Sequence, residues 1–365
     1  MIGKGSVAVA MSGGVDSSVT AAVLKEAGYP IFGVTMTICP SAGYHDQEGN
    51  TAAGKINNAV EDARKVCQQL GIAHHVLDLS GDFRERVVDY FLKEYERGRT
   101  PNPCVVCNLH IKFDRLMKEA FSLGADYLAT GHYARIIYND QRQKYFLQKA
   151  RDPGKDQTYF LFSLTQDKLK KILFPLGGYL KEEVREKARS LNLEVMEKPE
   201  SQEICFIEDN DYKGFIKREG KVTFSPGPFL LTSGERIGTH QGLPFYTVGQ
   251  RKGLGLAVGY PIYVVDIDYS TNAVVVGKRE ELFAADLYAG EVSCVSGEPL
   301  EQQDLTVKIR YRSPEVEAQL TPLAPGRVII SFKEPQRAVT PGQAVVFYRG
   351  EQVLGGGIIE ERLAF

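Results

Sequence analysis

The chain opens with short apolar runs that alternate with stretches whose apolar residues recur at helical spacing. Residues 7–11 (Val-Ala-Val-Ala-Met) have the continuous apolar character of a buried parallel strand, and so do residues 31–36. Between them, the pattern from Ser17 to Ala27 is helical, and Gly28 is a typical helix stop. The alternation continues with a helix through residues 60–70 and strands at residues 75–77 and 125–130. It predicts a doubly wound α/β domain with a parallel sheet.

After about residue 205 the pattern changes to short alternating stretches separated by turn residues. Residues 209–219 predict one short helix, and residues 263–268 together with 273–277 predict a hairpin. Residues 328–332 and 344–348 are typical of strands in a small antiparallel barrel. We therefore expect a catalytic α/β domain at residues 1–207, a small linking domain of mixed or β structure at 208–284, and a C-terminal antiparallel β-barrel at 285–365.

The segment Ser-Gly-Gly-Val-Asp-Ser-Ser at residues 12–18 directly follows the first predicted strand and opens the first predicted helix. Its two glycines allow the backbone to approach a phosphate group closely, and the helix N-terminus adds free N–H groups and a positive dipole. Its serines add hydroxyl donors, and Asp16 can hold a magnesium ion that bridges phosphates. No lysine follows the glycines at the Walker position. The segment therefore predicts a phosphate-binding loop of another type, at the carboxyl edge of the sheet.

Charge and apolar runs narrow the classes of function. The chain has 365 residues with 44 Lys plus Arg against 46 Asp plus Glu, and a net charge of −2 excludes a globally basic nucleic-acid binder. Residues 142–189 nevertheless contain 12 Lys or Arg against 6 Asp or Glu, which predicts a local basic track. The N-terminus lacks a signal-peptide pattern and no long apolar run occurs, so we expect no membrane partner.

Six cysteines are too few for a disulfide framework in a chain of this length and indicate a reducing, cytoplasmic compartment. Cys104 and Cys107 form a Cys-x-x-Cys pair, and Cys205 lies far along the chain. Two of these thiols can carry and exchange sulfur, or all three can hold an iron–sulfur cluster with one iron left open. Structural zinc needs a fourth ligand, for which His110 is a loose candidate.

The other three cysteines, Cys39, Cys67 and Cys294, occur in no motif. Free cysteine is among the most buried residue types and usually behaves as a small apolar side chain. We expect these three thiols to be buried and inert.

Seven segments of the chain together carry a resemblance. The loop at residues 12–18 resembles the PP-loop of the ATP pyrophosphatases, which split ATP between the α- and β-phosphates and form an adenylated intermediate. With the other segments, in this order, it resembles the bacterial tRNA-specific 2-thiouridylase family over essentially the full length of the chain. The segments are residues 12–18, 102–108, 131–135, 155–161, 204–207, 249–255 and 354–359.

The resemblance implies a reaction. Members of this family replace oxygen by sulfur at C2 of the wobble uridine (U34) in the tRNAs for Lys, Glu and Gln. The implied cofactors are ATP and Mg²⁺: the C2 oxygen attacks the α-phosphate, pyrophosphate leaves, and a sulfur nucleophile then displaces AMP. A further implied partner is a sulfur donor or relay protein, or sulfide, which the sequence does not identify.

The resemblance also implies roles for individual residues. Cys107 is implied as the nucleophile and disulfide partner, and Cys205 as the carrier of the persulfide. The implied ATP-binding residues are Ala10, Met11, Ser12, Gly13, Gly14, Val15, Asp16, Ser17, Met36 and Gly131. Those implied to meet the flipped-out target base are Asn102, Pro103 and Cys104. Those implied to contact tRNA are His132, Lys155, Asp156, Gln157, Arg310, Tyr311 and Gln343. For His132 the alternative is a core histidine.

Cys104 departs from the family pattern, because many members carry Asp at this position as an acid/base beside the nucleophile. The set Cys104, Cys107 and Cys205 resembles the thiolases in which three cysteines bind a [4Fe–4S] cluster. The persulfide and cluster routes are nearly balanced, with a slight preference for the cluster because Cys104 has no role in the other route. Both routes require Cys107 and Cys205.

Two other classes of function remain open. An ATP pyrophosphatase that forms amides would use a small acceptor and no RNA, which leaves the cysteines and the barrel unexplained. A non-catalytic RNA-binding protein with zinc at Cys-x-x-Cys would release no pyrophosphate.

Overall fold

The computed structural model describes residues 4–38, 52–198, 204–207, 211–220 and 224–364 and arranges their strands in three sheets. Cys39 and residues 209–210 of the predicted short helix lie outside the described residues. Within the described ranges, no helix combines the length and the apolar character needed to span a bilayer.

The first sheet is parallel and has five strands, in the order β3-β2-β1-β4-β7. Its strands are β1 (Val7–Ala10), β2 (Ile31–Thr37), β3 (His74–Asp78), β4 (Tyr127–Ala129) and β7 (Ile172–Leu173). The predicted strands are confirmed, whereas the two-residue β7 was not predicted because it is too short for an apolar run. The central strand β1 pairs with β2 and β4, so that the segment after Ala10 leaves the sheet between two neighbouring strand ends.

Helices surround this sheet, and the predicted alternation of strand and helix is confirmed. The α-helices are α1 (Val15–Glu26), α2 (Ala52–Gln69), α3 (Ser80–Phe83), α4 (Asp89–Glu96), α5 (Pro103–Val106), α6 (Met117–Ser122), α7 (Gln166–Leu169), α8 (Lys181–Ser190) and α9 (Tyr212–Glu219). Two π-helical segments occupy Arg84–Val88 and Cys107–Leu116, and 3₁₀ turns lie at Thr158–Phe160, Pro175–Gly178, Leu243–Phe245 and Arg279–Leu282.

The second sheet has four strands, in the order β10-β11-β8-β9. Its strands are β8 (Gly227–Leu231), β9 (Arg236–His240), β10 (Tyr263–Asp268) and β11 (Ala273–Gly277). β10 and β11 pair antiparallel from Tyr263 with Gly277 to Asp268 with Ala273, which confirms the predicted hairpin.

The third sheet contains a closed antiparallel barrel of six strands, which confirms the predicted barrel. Its strands are β12 (Phe283–Cys294), β13 (Gln303–Lys308), β14 (Val316–Ala324), β15 (Arg327–Arg337), β16 (Ala344–Arg349) and β17 (Gln352–Ala364). Pairing between β12 and β17 closes the barrel. Because β12 starts at Phe283, the predicted domain boundary at residue 285 falls inside this strand.

A hairpin of β5 (Arg135–Asn139) and β6 (Lys144–Gln148), absent from the sequence prediction, joins the catalytic part of the chain to the barrel. β6 pairs with β17 through Leu147 with Val353. One apolar core accordingly contains Leu128 of the parallel sheet and Tyr348 of the barrel. The barrel therefore packs directly against the catalytic part of the chain and shares an apolar core with it.

An aromatic cluster fixes the segment around Cys205. Phe206 lies edge-on to Phe83 and Phe91, with ring centroids 5.6 and 5.4 Å apart, and also packs against Phe215. Burial of large aromatic side chains and their edge-to-face geometry stabilise such a cluster. Cys205 is therefore held at the edge of the core that contains the helices after β3.

We predict that Gly177→Ala lowers the melting temperature by several degrees, whereas Gly178→Ala leaves it unchanged. A β carbon at Gly177 would lie 1.8 Å from the carbonyl oxygen of Ala134, but one at Gly178 meets no atom within 4 Å. Overpacking of this kind costs about 1–3 kcal/mol. Thermal unfolding followed by circular dichroism measures the difference. Equal melting temperatures for the two variants would contradict the close packing of the Pro175–Gly178 turn against the chain before β5.

Candidate active site

The predicted phosphate-binding loop lies at the carboxyl end of β1 and leads into α1. The Ser17 hydroxyl accepts from the Ser12 N–H at 3.2 Å and donates to the Gly14 carbonyl at 3.0 Å. Ser18 donates to the same carbonyl at 2.9 Å. The serines thus shape the loop internally, while the first N–H groups of the twelve-residue α1 remain available for an anion.

Two glycines bring other parts of the chain against this loop. Gly13 has a φ of +67°, and a β carbon there would lie 2.5 Å from the Ala59 carbonyl oxygen of α2. A β carbon on Gly131 would lie 3.0 Å from both the Asp16 carbonyl carbon and the Ser17 nitrogen. The predicted nucleotide residues therefore converge: Gly131 touches the loop, and Met36 lies at the carboxyl end of the neighbouring strand β2.

Asp16 is already bound by side chains that the sequence did not indicate. The Lys181 ammonium lies 2.7 and 2.8 Å from its two carboxylate oxygens, and the Tyr133 hydroxyl donates to one of them at 2.8 Å. A second ammonium, that of Lys198, donates to the Gly13 carbonyl at 3.0 Å. Asp16 remains chemically suited to Mg²⁺, but in this state its carboxylate is neutralised by a lysine rather than open to a metal ion.

The Cys-x-x-Cys segment begins a helix for a local reason. The Asn102 side chain caps α5 by accepting from the backbone N–H groups of Cys104 and Val105 at 3.2 and 3.4 Å. Pro103 occupies the first helical position, where its missing N–H has no cost. From Cys107 the helix continues in π form to Leu116. Asn102 thus has a clear structural role, and contact with the target base stays a prediction for it.

The structure brings the three motif cysteines together. Cys107 is buried, whereas Cys104 and Cys205 are exposed as whole residues, although protein atoms desolvate their thiol groups. Desolvation raises the pKa of Cys107 to about 11. Desolvation, together with the nearby Cys107 and Cys104 thiols, raises the pKa of Cys205 to about 12. The Lys112 ammonium lowers the pKa of all three thiols. At neutral pH the resting thiols are therefore protonated.

The described residues do not form a metal site as they stand. No group of three His, Cys, Asp or Glu side chains within the described ranges is arranged to hold a metal ion. The three thiols are close enough to influence one another electrostatically, but they do not make a closed ligand set. The [4Fe–4S] prediction therefore has no support from the donor geometry, and neither has zinc with His110 as a ligand.

The cysteines outside the motif behave differently from one another. Cys67 is buried, which confirms its predicted burial, and burial raises the pKa of its thiol to about 11. Cys294 is half-buried at the end of β12, so the expectation of full burial is wrong there. Its thiol donates to the Leu354 carbonyl at 3.4 Å within the barrel.

The loop after β4 links the nucleotide loop to the cysteines. Gly131 packs on Asp16 and Ser17, while the next residue, His132, lies with its ring centroid 5.7 Å from that of Phe113 on the π-helix of Cys107. His132 is 8% exposed and shares a hydrogen bond of 2.7 Å with Thr130. Burial and Lys112 hold its pKa well below the usual value. His132 is thus a neutral core histidine in this state, and its tRNA contact stays a prediction.

The residues predicted to contact tRNA already make bonds within the protein. Asp156 accepts from the Ala150 N–H at 3.0 Å, and the Gln157 side chain accepts from the Tyr133 N–H at 3.0 Å. Lys155 is partly buried beside them, and the Tyr311 ring packs on that of Phe160 with centroids 4.5 Å apart.

Two further residues of this group join parts of the chain. The Arg310 guanidinium donates to the carbonyls of Val248 and Ala338. The Gln343 amide donates to the carbonyls of Thr100 and Pro101 at 2.8 and 3.3 Å. Gln343 therefore binds the segment that leads directly to Cys104.

The net positive charge around residues 142–189 is smaller in the folded chain than the sequence count indicates. Many of its cations pair with carboxylates, several of them from outside the segment. These pairs are Lys144–Glu298, Lys149–Glu315, Arg151–Glu183, Lys170–Asp167, Lys181–Asp16, Lys187–Glu26 and Arg189–Glu197. The predicted basic track is correspondingly reduced.

Known proteins resemble the chain along its whole length. Residues 5–209 match the family described as tRNA methyl transferase HUP domain, residues 213–278 its PRC-barrel domain, and residues 284–359 the aminomethyltransferase beta-barrel domain. The tRNA-specific 2-thiouridylase MnmA of Carboxydothermus hydrogenoformans is 52% identical over 364 residues, covering 100% of both chains. MnmA 2 of Caldanaerobacter subterraneus is 50% identical over 360 residues, covering 98% of each.

A solved structure, the U34-tRNA thiolase NcsA of Methanococcus maripaludis with its [4Fe-4S] cluster, is 22% identical with a TM-score of 0.35, over 55% of this chain and 61% of that one. That score is too low to bear on the sulfur chemistry of this chain. The full-length identity to curated thiouridylases decides the assignment: the chain belongs to the tRNA-specific 2-thiouridylase family.

Proposed function

We propose that this enzyme thiolates C2 of the wobble uridine in two steps at one site, first adenylating the oxygen and then replacing it with sulfur. The observation that supports this most strongly is the short loop after β4. Gly131 packs on the phosphate-binding loop and His132 on the helix of Cys107. An activated base bound at this loop would therefore meet the nucleotide on one side and the thiols on the other.

The first step uses ATP at the loop of residues 12–17. The polyphosphate would lie on Gly13, Gly14 and the N–H groups at the start of α1, and the adenosine between Met36 and Gly131. Asp16 would hold Mg²⁺, which offsets the charge of the phosphates when bound. The uridine C2 oxygen attacks the α-phosphorus, a P–O bond forms, and the bond to pyrophosphate breaks. Oxygen at C2 becomes part of a good leaving group, AMP.

The second step uses the cysteines. The Cys205 sulfur first attacks the outer sulfur of a persulfide donor, which leaves as a thiol, so that Cys205 carries a persulfide. The terminal sulfur of this persulfide then attacks C2 and expels AMP. The Cys107 sulfur then attacks the Cys205 sulfur, which breaks the S–S bond, leaves the sulfur on the base and forms a Cys107–Cys205 disulfide. An external thiol reductant restores both thiols. Burial raises the pKa of these thiols even with the Lys112 ammonium nearby, so they stay protonated until a reaction partner takes the proton.

Cys104 is the open point of this scheme. It lies beside the other two thiols and raises the pKa of Cys205. That proximity is what a three-cysteine cluster would require, but the described donors do not form a metal site. We therefore propose the persulfide route.

The substrate is tRNA, and we propose the Lys, Glu and Gln isoacceptors from the family resemblance. Part of the phosphate backbone would bind in a cleft of about 460 Å³ between the β5–β6 hairpin and the barrel. Its lining holds four cations and three carboxylates: Arg135, Lys149, Arg151 and Lys308 together with Asp156, which is itself a predicted tRNA contact, Glu315 and Glu351. Ion pairs such as Lys149–Glu315 would have to open or reorient when phosphates bind.

Incubation with unmodified tRNA, ATP, Mg²⁺ and a persulfide donor should yield 2-thiouridine, detected by mass spectrometry of the digested nucleosides. Cys205→Ser and Cys107→Ser should lower the yield on the order of a hundredfold or more, because each removes a sulfur that the transfer requires. Cys294→Ser is the matched control and should match the wild type, since this thiol lies in the barrel.

Absence of 2-thiouridine with competent tRNA, or full activity of Cys205→Ser, would contradict the proposal. Pyrophosphate release with a small amine acceptor and no RNA would instead favour an amide-forming synthetase.

Anaerobic purification followed by iron and acid-labile sulfide analysis separates the two sulfur routes. We expect iron-free protein to thiolate tRNA with a persulfide donor, and Cys104→Ala to keep substantial activity. The opposite result is about four irons per chain, with both the iron and the activity lost in Cys104→Ala. That outcome would replace the persulfide route by a cluster.

A further inference from the structure

The Lys181 ammonium lies against the phosphate-binding loop. Lys181 itself is the first residue of α8, 165 residues along the chain from Asp16. Its ammonium contacts both carboxylate oxygens, and its side chain is only 10% exposed. The ammonium also lies 5.6 Å from the centre of the Tyr133 ring, whose hydroxyl binds the same carboxylate. The lysine is therefore part of the loop's immediate surroundings.

The start of α8 fixes the backbone of Lys181 in this place. The Lys181 N–H donates to the Asp152 carboxylate at 2.9 Å, and the Leu180 N–H donates to the Glu183 carboxylate at 2.7 Å. These bonds satisfy free N–H groups at the helix N-terminus. The backbone is held, while four flexible methylene groups allow the ammonium to move.

The Lys181–Asp16 pair is not the sole ion pair between α8 and α1 in the described part of the chain. A second pair, Lys187–Glu26, links the same two helices at 2.6 Å near the other end of α1, in a more exposed position. Burying an ion pair has a desolvation cost that often cancels its attraction, so a buried pair is weak evidence for a stabilising role. The burial of Lys181 therefore points to a role other than stability.

The chemistry of the loop supplies one. Walker loops carry a lysine that reaches the β- and γ-phosphates, and residues 12–18 contain none. A compact ammonium on a flexible stem is well suited to phosphate oxygens. The Asp16 carboxylate contacts the Lys181 ammonium and the Tyr133 hydroxyl, so a magnesium ion bound by Asp16 would take the place of the ammonium on at least one carboxylate oxygen.

We propose that Lys181 is the phosphate-binding lysine of this loop and exchanges its contact with Asp16 for the phosphates of a metal–nucleoside triphosphate. On binding, the carboxylate turns to the metal ion and the ammonium to the β- and γ-phosphate oxygens. Both charges keep an opposite partner throughout the exchange, so no charge is left buried alone. The inference rests on the proposed use of ATP and adds a residue for which no motif provided a signal.

The test compares the affinity of Mg²⁺ with α,β-methylene-ATP and the affinity of AMP, by isothermal titration calorimetry on the full chain. Lys181→Met should weaken binding of the triphosphate analogue about ten- to hundredfold, the loss expected for a charge-assisted contact. AMP lacks the β- and γ-phosphates, so its affinity should change less than about threefold. The affinity of Lys181→Arg for the triphosphate analogue should lie between the affinities of Lys181→Met and the wild type.

Lys187→Met is the matched control, because it removes a lysine that pairs across the same two helices. It should bind both ligands as the wild type does, and circular dichroism checks that each variant is folded. Retained AMP affinity in Lys181→Met separately shows that its nucleotide site is intact.

Each result has one meaning. An unchanged triphosphate affinity in Lys181→Met, or an equal loss for the triphosphate and AMP, would overturn the role of Lys181 while leaving ATP use intact. Failure of the wild type to bind the triphosphate analogue would overturn the proposed ATP chemistry, and this inference with it. If Lys181→Met misfolds, Lys181→Arg decides: a larger loss of triphosphate affinity than of AMP affinity supports the role of Lys181, and no difference between the two losses refutes it.

Discussion

The arrangement of the site depends on one close approach, that of Gly131 to the backbone of Asp16 and Ser17. A β carbon at this position would lie 3.0 Å from both, a separation that side chains do not tolerate without displacement. Because Gly131 can come so near, Tyr133 reaches Asp16 and His132 faces the helix of Cys107. A larger residue at this position would require the loop after β4 or the phosphate-binding loop to shift.

The barrel contributes to this site through the chain that precedes the cysteines. The Thr100 N–H donates to the Pro341 carbonyl at 2.9 Å, and Gln343 binds the Thr100 and Pro101 carbonyls. Gly342 fits between them, since a β carbon there would lie 2.9 Å from Thr100. A movement of the barrel would therefore displace Thr100 and Pro101, the residues that lead into α5. Gln343 has this structural connection in addition to its predicted contact with tRNA.

Local patterns predicted what local physics determines. The apolar runs gave correct positions for β1 to β4, and Ser12 to Ser17 were recognised because glycines and hydroxyls at a strand–helix junction have few other uses. Pairings between distant segments were not predictable. The hairpin at residues 135–148 pairs with β17, which lies far along the chain. Lys181 binds Asp16 although the two are 165 residues apart in sequence. Counting charges along the sequence overestimated the basic excess for the same reason, because carboxylates such as Glu298 and Glu315 pair with the basic segment only in the folded chain.

The central claim is that the C2 oxygen of the wobble uridine is itself adenylated before sulfur replaces it. Labelling that oxygen with ¹⁸O in the tRNA, and measuring the mass of the AMP released during thiolation, tests the claim directly. The account predicts one ¹⁸O atom in the phosphate of AMP for each 2-thiouridine formed. Unlabelled AMP accompanying full thiolation would contradict it, because the oxygen would then have left by another route.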